Sequence, residues 1–419
     1  MTTTNKKDMK VKQPKNSLFP ENEVNVSGNN VFSEQSDIEI EDKGDDEGIK
    51  SPFDPNKIDV DVSTINMGYL IDMLRNNEID LSPAYQRASD LWNEKQKSRL
   101  IESILLGLPL PSFYFSEDPQ TGKLSIIDGL QRICALRDFI LKDEKLDKNL
   151  DISKLPTNEK PLLLTDLQFL NQFNGARFQD LGRPEVKRIT GLKIVMNTLR
   201  KNTPPKVKYV IFQRVNTAGN PLTPQEMRHA LNQGIPANIV KELAELNAFK
   251  LATNNSVKTT RMEDRDFINR FLGFYLWKLG LLQEYSGNLD EFLNDTLIYI
   301  EEHPEMDLKN LKTVFDRTMD ICFKIFGDDA FRKRYNINDK RNPVSKSVFD
   351  TLSVNIAMLT KEEQDHLLVK KIEFKNALIE LFHDNDFNDA ITAGTGKKAP
   401  VEIRFEKIKQ LIQNILNHD

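Results

Sequence analysis

Apolar residues recur at helical spacing early in the chain. Between Asn66 and Asn76, Leu70, Ile71 and Leu74 share one face, and from about Asn93 to Leu106 the stripe is Leu100, Ile101, Ile104 and Leu105. Gly107 ends this second helix, and Pro109 and Pro111 prevent its resumption. The period then shortens. Ser112 to Phe115 and Leu124 to Ile127 are β-prone runs, and the connection from Ser116 to Lys123, with Asp118-Pro119 and Gly122, suits a hairpin. A helical segment follows from about Gln131 to Lys142. Leu192 to Met196 reads as β-like and Val207 to Val215 as helical. Thr223-Pro224-Gln225-Glu226 has the form of a capping box with Pro at the first helical position. Beyond it nearly everything reads helical, including Phe267 to Leu282 and Phe292 to Ile300.

These patterns predict an α+β protein, a small α/β domain followed by a mostly helical one, divided as 1–55, 56–235 and 236–419. Residues 1–55 read as a disordered acidic leader, with the run Glu34 to Glu47 as a solvated stretch. On that reading residues 1–50 are dispensable for folding. No solenoid-type repeat is evident.

Composition narrows the function classes. No window approaches the uncharged apolar run of a membrane span, and Met1 to Pro20 is too polar for a secretory signal. Cys134 and Cys322 are the two cysteines, far apart and without CxxC spacing, which argues against a disulfide framework and fits a reducing cytoplasm. The five histidines are scattered and form no HExxH pair, so zinc-hydrolase chemistry has no support. Net charge is −5, of which residues 1–50 supply most, with seven lysines against eleven acids. The remainder is close to neutral, unlike a simple duplex-DNA-binding module.

Candidate chemistry gathers at Asp128-Gly129-Leu130-Gln131-Arg132, where a predicted strand turns into a helix. Gly129 allows close backbone approach, the helix start offers unpaired N–H groups to an anion, Arg132 is a fork for phosphate oxygens, and Asp128 suits Mg²⁺. Taken alone this is a weak signal, since Asp-Gly turns are common and first-turn arginines are usually solvated. Two further Gln-Arg pairs stand at the ends of predicted elements, Tyr85-Gln86-Arg87 and Phe212-Gln213-Arg214, the second leading to Asn216.

Four motifs in order then carry a resemblance. They are Pro83-Ala84-Tyr85-Gln86-Arg87 with Trp92; Leu100-Ile101-Glu102-Ser103-Ile104-Leu105-Leu106-Gly107-Leu108-Pro109-Leu110-Pro111; Ile127 to Arg132; and Phe212 to Asn216 followed by Gly219 and Leu222 to Glu226. Across roughly residues 60–235 the chain resembles the N-terminal domain of the GmrSD-type restriction endonucleases. That resemblance implies a ParB/sulfiredoxin-like fold, binding and hydrolysis of a nucleoside triphosphate with Mg²⁺, and a role in defence against phage or foreign DNA. It implies a site in which Asp128, Gln131 and Arg132 are catalytic, Asp128 holds the metal, and Tyr85, Gln86, Arg87, Gly129, Arg214 and Asn216 bind nucleotide. The family's hallmark is Asp-Gly-Gln-Gln-Arg, whereas Leu130 stands here in place of the first Gln. Losing that amide weakens the expectation of turnover more than that of binding.

Many relatives carry a C-terminal HNH-type nuclease, but no matching His cluster is found here, and His303-Pro304 lacks partners. Glu373-Phe374-Lys375 lies in a helical pattern rather than on a strand, which suits surface charge better than a nuclease motif. Gly394-Thr395-Gly396-Lys397-Lys398 lacks the Walker spacing and reads as a mobile basic loop, a point of contact for nucleic acid. The leading expectation is therefore an NTP-binding regulatory or sensor component of a restriction or anti-phage system, with a nuclease partner protein acting in trans. The alternatives are a metal-dependent nuclease using the same pocket, and a non-catalytic modified-DNA reader switched by nucleotide. DNA contact and homo-oligomerisation stay open.

Overall fold

The computed structural model describes residues 37–42, 58–81, 92–118, 121–147, 150, 152–215, 222–232 and 234–417. Residues 36–419 form one compact unit.

The sheet lies in the first half. Strand β1 (Val60–Asn66) leads into helix α1 (Met67–Arg75), and β2 (Ile79–Asp80) follows. Helix α2 (Glu94–Leu105) precedes β3 (Phe113–Glu117) and β4 (Leu124–Asp128). Helix α3 (Leu130–Leu136) runs on through a π-helical turn, Arg137–Leu141, and a last turn, Lys142–Glu144. Helix α4 (Arg183–Gly191) and β5 (Lys193–Leu199) complete the layer. The order is β1-β5-β3-β4-β2. The β1/β5 and β3/β4 pairs are antiparallel, and β3/β5 and β2/β4 parallel. The mixed sheet followed by helices is the α+β architecture expected.

Local chemistry sets the element ends. Asn66 accepts the Tyr69 N–H at 2.9 Å to cap α1, and Asn93 forms a capping box with Gln96 at the start of α2. The predicted hairpin is β3/β4, closed by Asp118 accepting from the Thr121 N–H and hydroxyl at 2.7 and 2.9 Å. Strands β1 and β2 were not anticipated. The outward positions of β1 are exposed, and β2 has two residues, so neither leaves a hydrophobic run.

Helices α1, α2 and α3 bury Leu70, Ile71, Leu74, Ile101, Ile104, Ile133 and Phe139 against Phe113, Phe115 and Ile126 of the sheet. A smaller cluster joins Ile127 and Leu199 to Tyr209 and Phe212 of α5 (Pro205–Val215) and Met227 and Ala230 of α6 (Pro224–Leu231). The remaining helices bury a separate, larger core from Ile239 to Ile415. Among them are α7 (Ile235–Ala244), α8 (Asn247–Ala252), α9 (Glu263–Lys278), α10 (Leu289–Glu302), α11 (Leu308–Phe326), α12 (Lys346–Ala357), α13 (Lys361–Val369), α14 (Lys371–Leu381), α15 (Asn385–Ala390) and α16 (Lys398–Asn417).

The two cores are bolted together by charge. Arg228 of α6 is fully buried and donates to Asp266 on α9 at 2.9 Å and Asp290 on α10 at 3.0 Å. Neighbouring His229 is buried too, and desolvation, with Arg265 beside it, pushes its imidazole down to about 3. It is therefore neutral near pH 7.

Two expectations are corrected here. Residues 37–42 of the leader are docked on the helical region, with Glu41 bonded to Arg270. Their carboxylates offset buried cations, so the solvated reading does not hold for residues 37–42. The 394–398 segment is not a free basic loop either: Thr395 is buried and bonds Glu41 and the Asp42 carbonyl.

Glu102, inside the apolar stripe of α2, accepts backbone N–H groups from Gln168, Phe169 and Leu170 at 3.1, 2.6 and 2.9 Å. Desolvation raises its pKa, but these three donors outweigh it and hold the carboxyl below its ordinary value. Replacing Glu102 by Ala strands three donors. Glu102→Ala is expected to cost about 2–4 kcal/mol in urea unfolding, with Glu102→Gln intermediate.

Candidate functional site

The turn between β4 and α3 is built around an aromatic ring. Gly129 has φ +102°, and a Cβ there would stand 2.6 Å from Phe113 Cδ1. Both the left-handed backbone and the ring exclude a side chain. Arg132 lies over the same ring, its guanidinium carbon 4.3 Å from the centroid. It donates to Asp128 Oδ2 at 2.8 Å, to the Ser112 carbonyl at 3.1 Å and to the Pro111 carbonyl. Burial pushes the Arg132 pKa down, and Asp128 counters it.

This corrects the surface position expected for Arg132. The side chain is 9% exposed, because the Pro111 and Ser112 carbonyls lie over it and Phe113 closes one face. Its described partners fix the turn and orient Asp128. Two motifs quoted separately from the sequence, Pro111 and Asp128 to Arg132, are thus halves of one hydrogen-bonded unit.

Asp128 keeps 36% of its side chain exposed at the rim of the turn. Gln131 points its amide oxygen at the backbone N–H of Trp92, at 3.2 Å. Arg214 is exposed on the last turn of α5. Its neighbour Phe212 packs with Ile127, and Leu130 and Leu222 lie against that cluster. Tyr85, Gln86, Arg87 and Asn216 lie outside the described residues. Trp92, after the first of those stretches, bonds Gln131 at the start of α3, and Leu222, after the second, packs against the cluster of Ile127 and Phe212.

The π-helical turn after the site holds Asp138, bonded to Lys97 at 2.7 Å, Arg137 at 2.8 Å and Lys142 at 3.0 Å. Desolvation raises the Asp138 pKa, but these three cations, Arg137 foremost, bring it below its ordinary value. Sequence reading assigned no role to Glu102, Phe113 or Asp138. The one available signal was an acid inside an apolar stripe at Glu102.

Among the described residues, no group of three or more His, Cys, Asp or Glu is arranged to hold a metal. Glu373-Phe374-Lys375 lies on α14, with Phe374 buried and Lys375 paired to Asp329 at 3.1 Å. No helix among the described residues is long and apolar enough to cross a membrane.

Residues 70–233 match the family model of the GmrSD restriction endonuclease N-terminal domain. This segment belongs to that family. The match contains all the motifs above and stops before the helical core begins at Ile239. It points to a component of a restriction or anti-phage system. No curated protein and no solved structure matches the chain.

Because Arg132 satisfies three oxygens and covers Phe113, Arg132→Ala is expected to destabilise the protein by about 2–4 kcal/mol in chemical denaturation. Lysine is expected to recover less than half of this, having no planar fork. A variant as stable as wild type would show that the turn holds without the guanidinium. Gly129→Ala is expected to be at least as damaging, since it meets both the ring and a positive φ.

Proposed function

We propose that this chain binds a nucleoside triphosphate with Mg²⁺ at the 128–132 turn and regulates a restriction or anti-phage system, with the nuclease supplied by a partner protein. The observation that carries this is convergence. Arg132 holds the turn through Asp128, Trp92 after the Tyr85-Gln86-Arg87 stretch bonds Gln131 of the following helix, and Phe212 beside Arg214 packs with Ile127 just before the turn. A preformed turn with a partly exposed carboxylate suits a ligand that must be held without rearrangement.

The residues fit a metal that arrives with its ligand. Asp128 supplies one carboxylate, and Mg²⁺ bound to nucleotide phosphates commonly takes one or two from a protein. Bound there, the metal would neutralise phosphate charge. Arg132 acts through Asp128, fixing the carboxylate and leaving direct phosphate contact to Arg87 and Arg214. Gln131 joins the turn to Trp92, and Tyr85, Gln86 and Asn216 complete the proposed nucleotide contacts. Hydrolysis belongs to the same proposal, and Leu130 is the residue that would slow it.

Calorimetric titration with ATP, GTP and CTP, with Mg²⁺ or EDTA, tests this. One nucleotide is expected to bind, and Asp128→Asn should weaken Mg²⁺-dependent binding by roughly tenfold to a hundredfold. Asparagine can still accept from Arg132 but removes the carboxylate, so urea unfolding of the variant accompanies the titration. Absence of binding by folded wild type would remove the proposal. The purified chain is also expected to leave modified and unmodified DNA intact with Mg²⁺ or Mn²⁺ and each nucleotide. Cleavage that Asp128→Ala abolishes would place a nuclease in this pocket.

A further inference from the structure

The acidic stretch 37–42 lies extended against the helical region. Ile38 bridges Val344 in parallel: the Glu39 N–H donates to the Val344 carbonyl at 2.9 Å, and the Val344 N–H to the Asp37 carbonyl at 3.0 Å. Alternate side chains of an extended chain point the same way. Here Asp37 meets Arg332 at 2.9 Å, Glu39 meets Lys333 at 2.6 Å, and Glu41 meets both terminal nitrogens of Arg270 at 2.9 and 2.8 Å. At the far end, Thr395 donates its hydroxyl to Glu41 at 2.7 Å and its N–H to the Asp42 carbonyl at 2.8 Å.

The receiving surface demands anions. Arg270 and Arg404 are fully buried and share one carboxylate, Asp350, at 2.6 and 3.3 Å. The next acid, Asp266, is taken by Arg228 and Lys346 at 2.9 and 2.7 Å. Glu41 supplies the second carboxylate for the Arg270–Arg404 pair, and without it a buried positive charge is left uncompensated. Arg332 is equally buried, with Asp37 as its carboxylate.

The occupant is held firmly at Glu41, whose side chain is 9% exposed, and lightly elsewhere: Ile38 is its apolar anchor, Ile40 is 97% exposed, and Asp37 and Glu39 keep 45% and 33% of their side chains exposed. Charge and a few main-chain bonds carry the contact, in the manner of strand addition.

We propose that this groove is a recognition site for an extended peptide with carboxylates at alternate positions, and that residues 37–42 are its resident, displaceable occupant. The inference is independent of the nucleotide site. A segment tethered to its own groove acts at an effective concentration on the order of millimolar, so a peptide in trans competes poorly until the segment is weakened.

The test uses the full chain with Asp37→Asn, Glu39→Gln and Glu41→Gln together, and a fluorescein-labelled peptide of residues 37–42. Anisotropy should show the variant binding the peptide at least tenfold more tightly than wild type. Binding should fall as salt rises, and a peptide of the same composition without alternating acids should not bind. The peptide should also raise the variant's melting temperature. A folded variant that ignores the peptide, or that binds it no better than wild type does, overturns the proposal. Hydrogen exchange on wild type keeps the test decisive if the variant does not fold. The amides of Glu39, Val344 and Thr395 should be protected, and that of Glu39 should lose protection first when unlabelled peptide is added well above the roughly millimolar effective concentration of the tethered segment. Exchange of Glu39 at the random-coil rate, or protection that excess peptide leaves unchanged, overturns it equally.

Discussion

A buried guanidinium keeps its charge, so it must be met by carboxylates wherever the fold puts it. Arg228, Arg270, Arg332 and Arg404 are all fully buried in the second half of this protein. Their partners come from distant parts of the sequence: Asp37 and Glu41 near the start, Asp266 and Asp290 in the middle, Asp350 on α12. Satisfying them fixes how α6, α9, α10, α12 and α16 approach one another. It also draws a short acidic stretch onto the surface of the helical core. The family-matched segment ends just after α6, and Arg228, with Lys206 on Glu291 and Asp295 and Glu226 on Arg261, ties it to the helices that follow.

The same physics operates on a smaller scale at the candidate site. Arg132 is held among carbonyls, an aromatic face and Asp128, and its role there is to fix the turn. Held in this way, the turn presents Asp128 in one orientation, which on the proposed function lowers the entropy lost on binding. The same guanidinium ties the segment before β3 to the Asp-Gly turn after β4.

The helices and the central hairpin were legible because their signals are local. Leu100, Ile101, Ile104 and Leu105 make a stripe whatever surrounds them, and Gly107 with Pro109 must stop it. Asn93 and Thr223 cap helices through bonds reaching three residues ahead. The family was legible too, since four motifs in order are a property of sequence alone. Strand β1 was not, because its pairing with β5 spans more than a hundred residues and its outward positions are polar or exposed.

The sequence by itself determined the α+β order, the turn at Gly129 and the set of residues available for chemistry. Tertiary structure decided which charges among them are free to act. Arg132 has the same neighbours in sequence whether it is solvated or buried. Only the fold brings Pro111, Ser112 and Phe113 around it. The acids of 37–42 read as a solvated run until Arg270, Arg332 and Lys333, more than two hundred residues away, are placed opposite them. Charge pairing across such distances follows no periodicity. It depends on which buried cations lack a partner once the helices have packed.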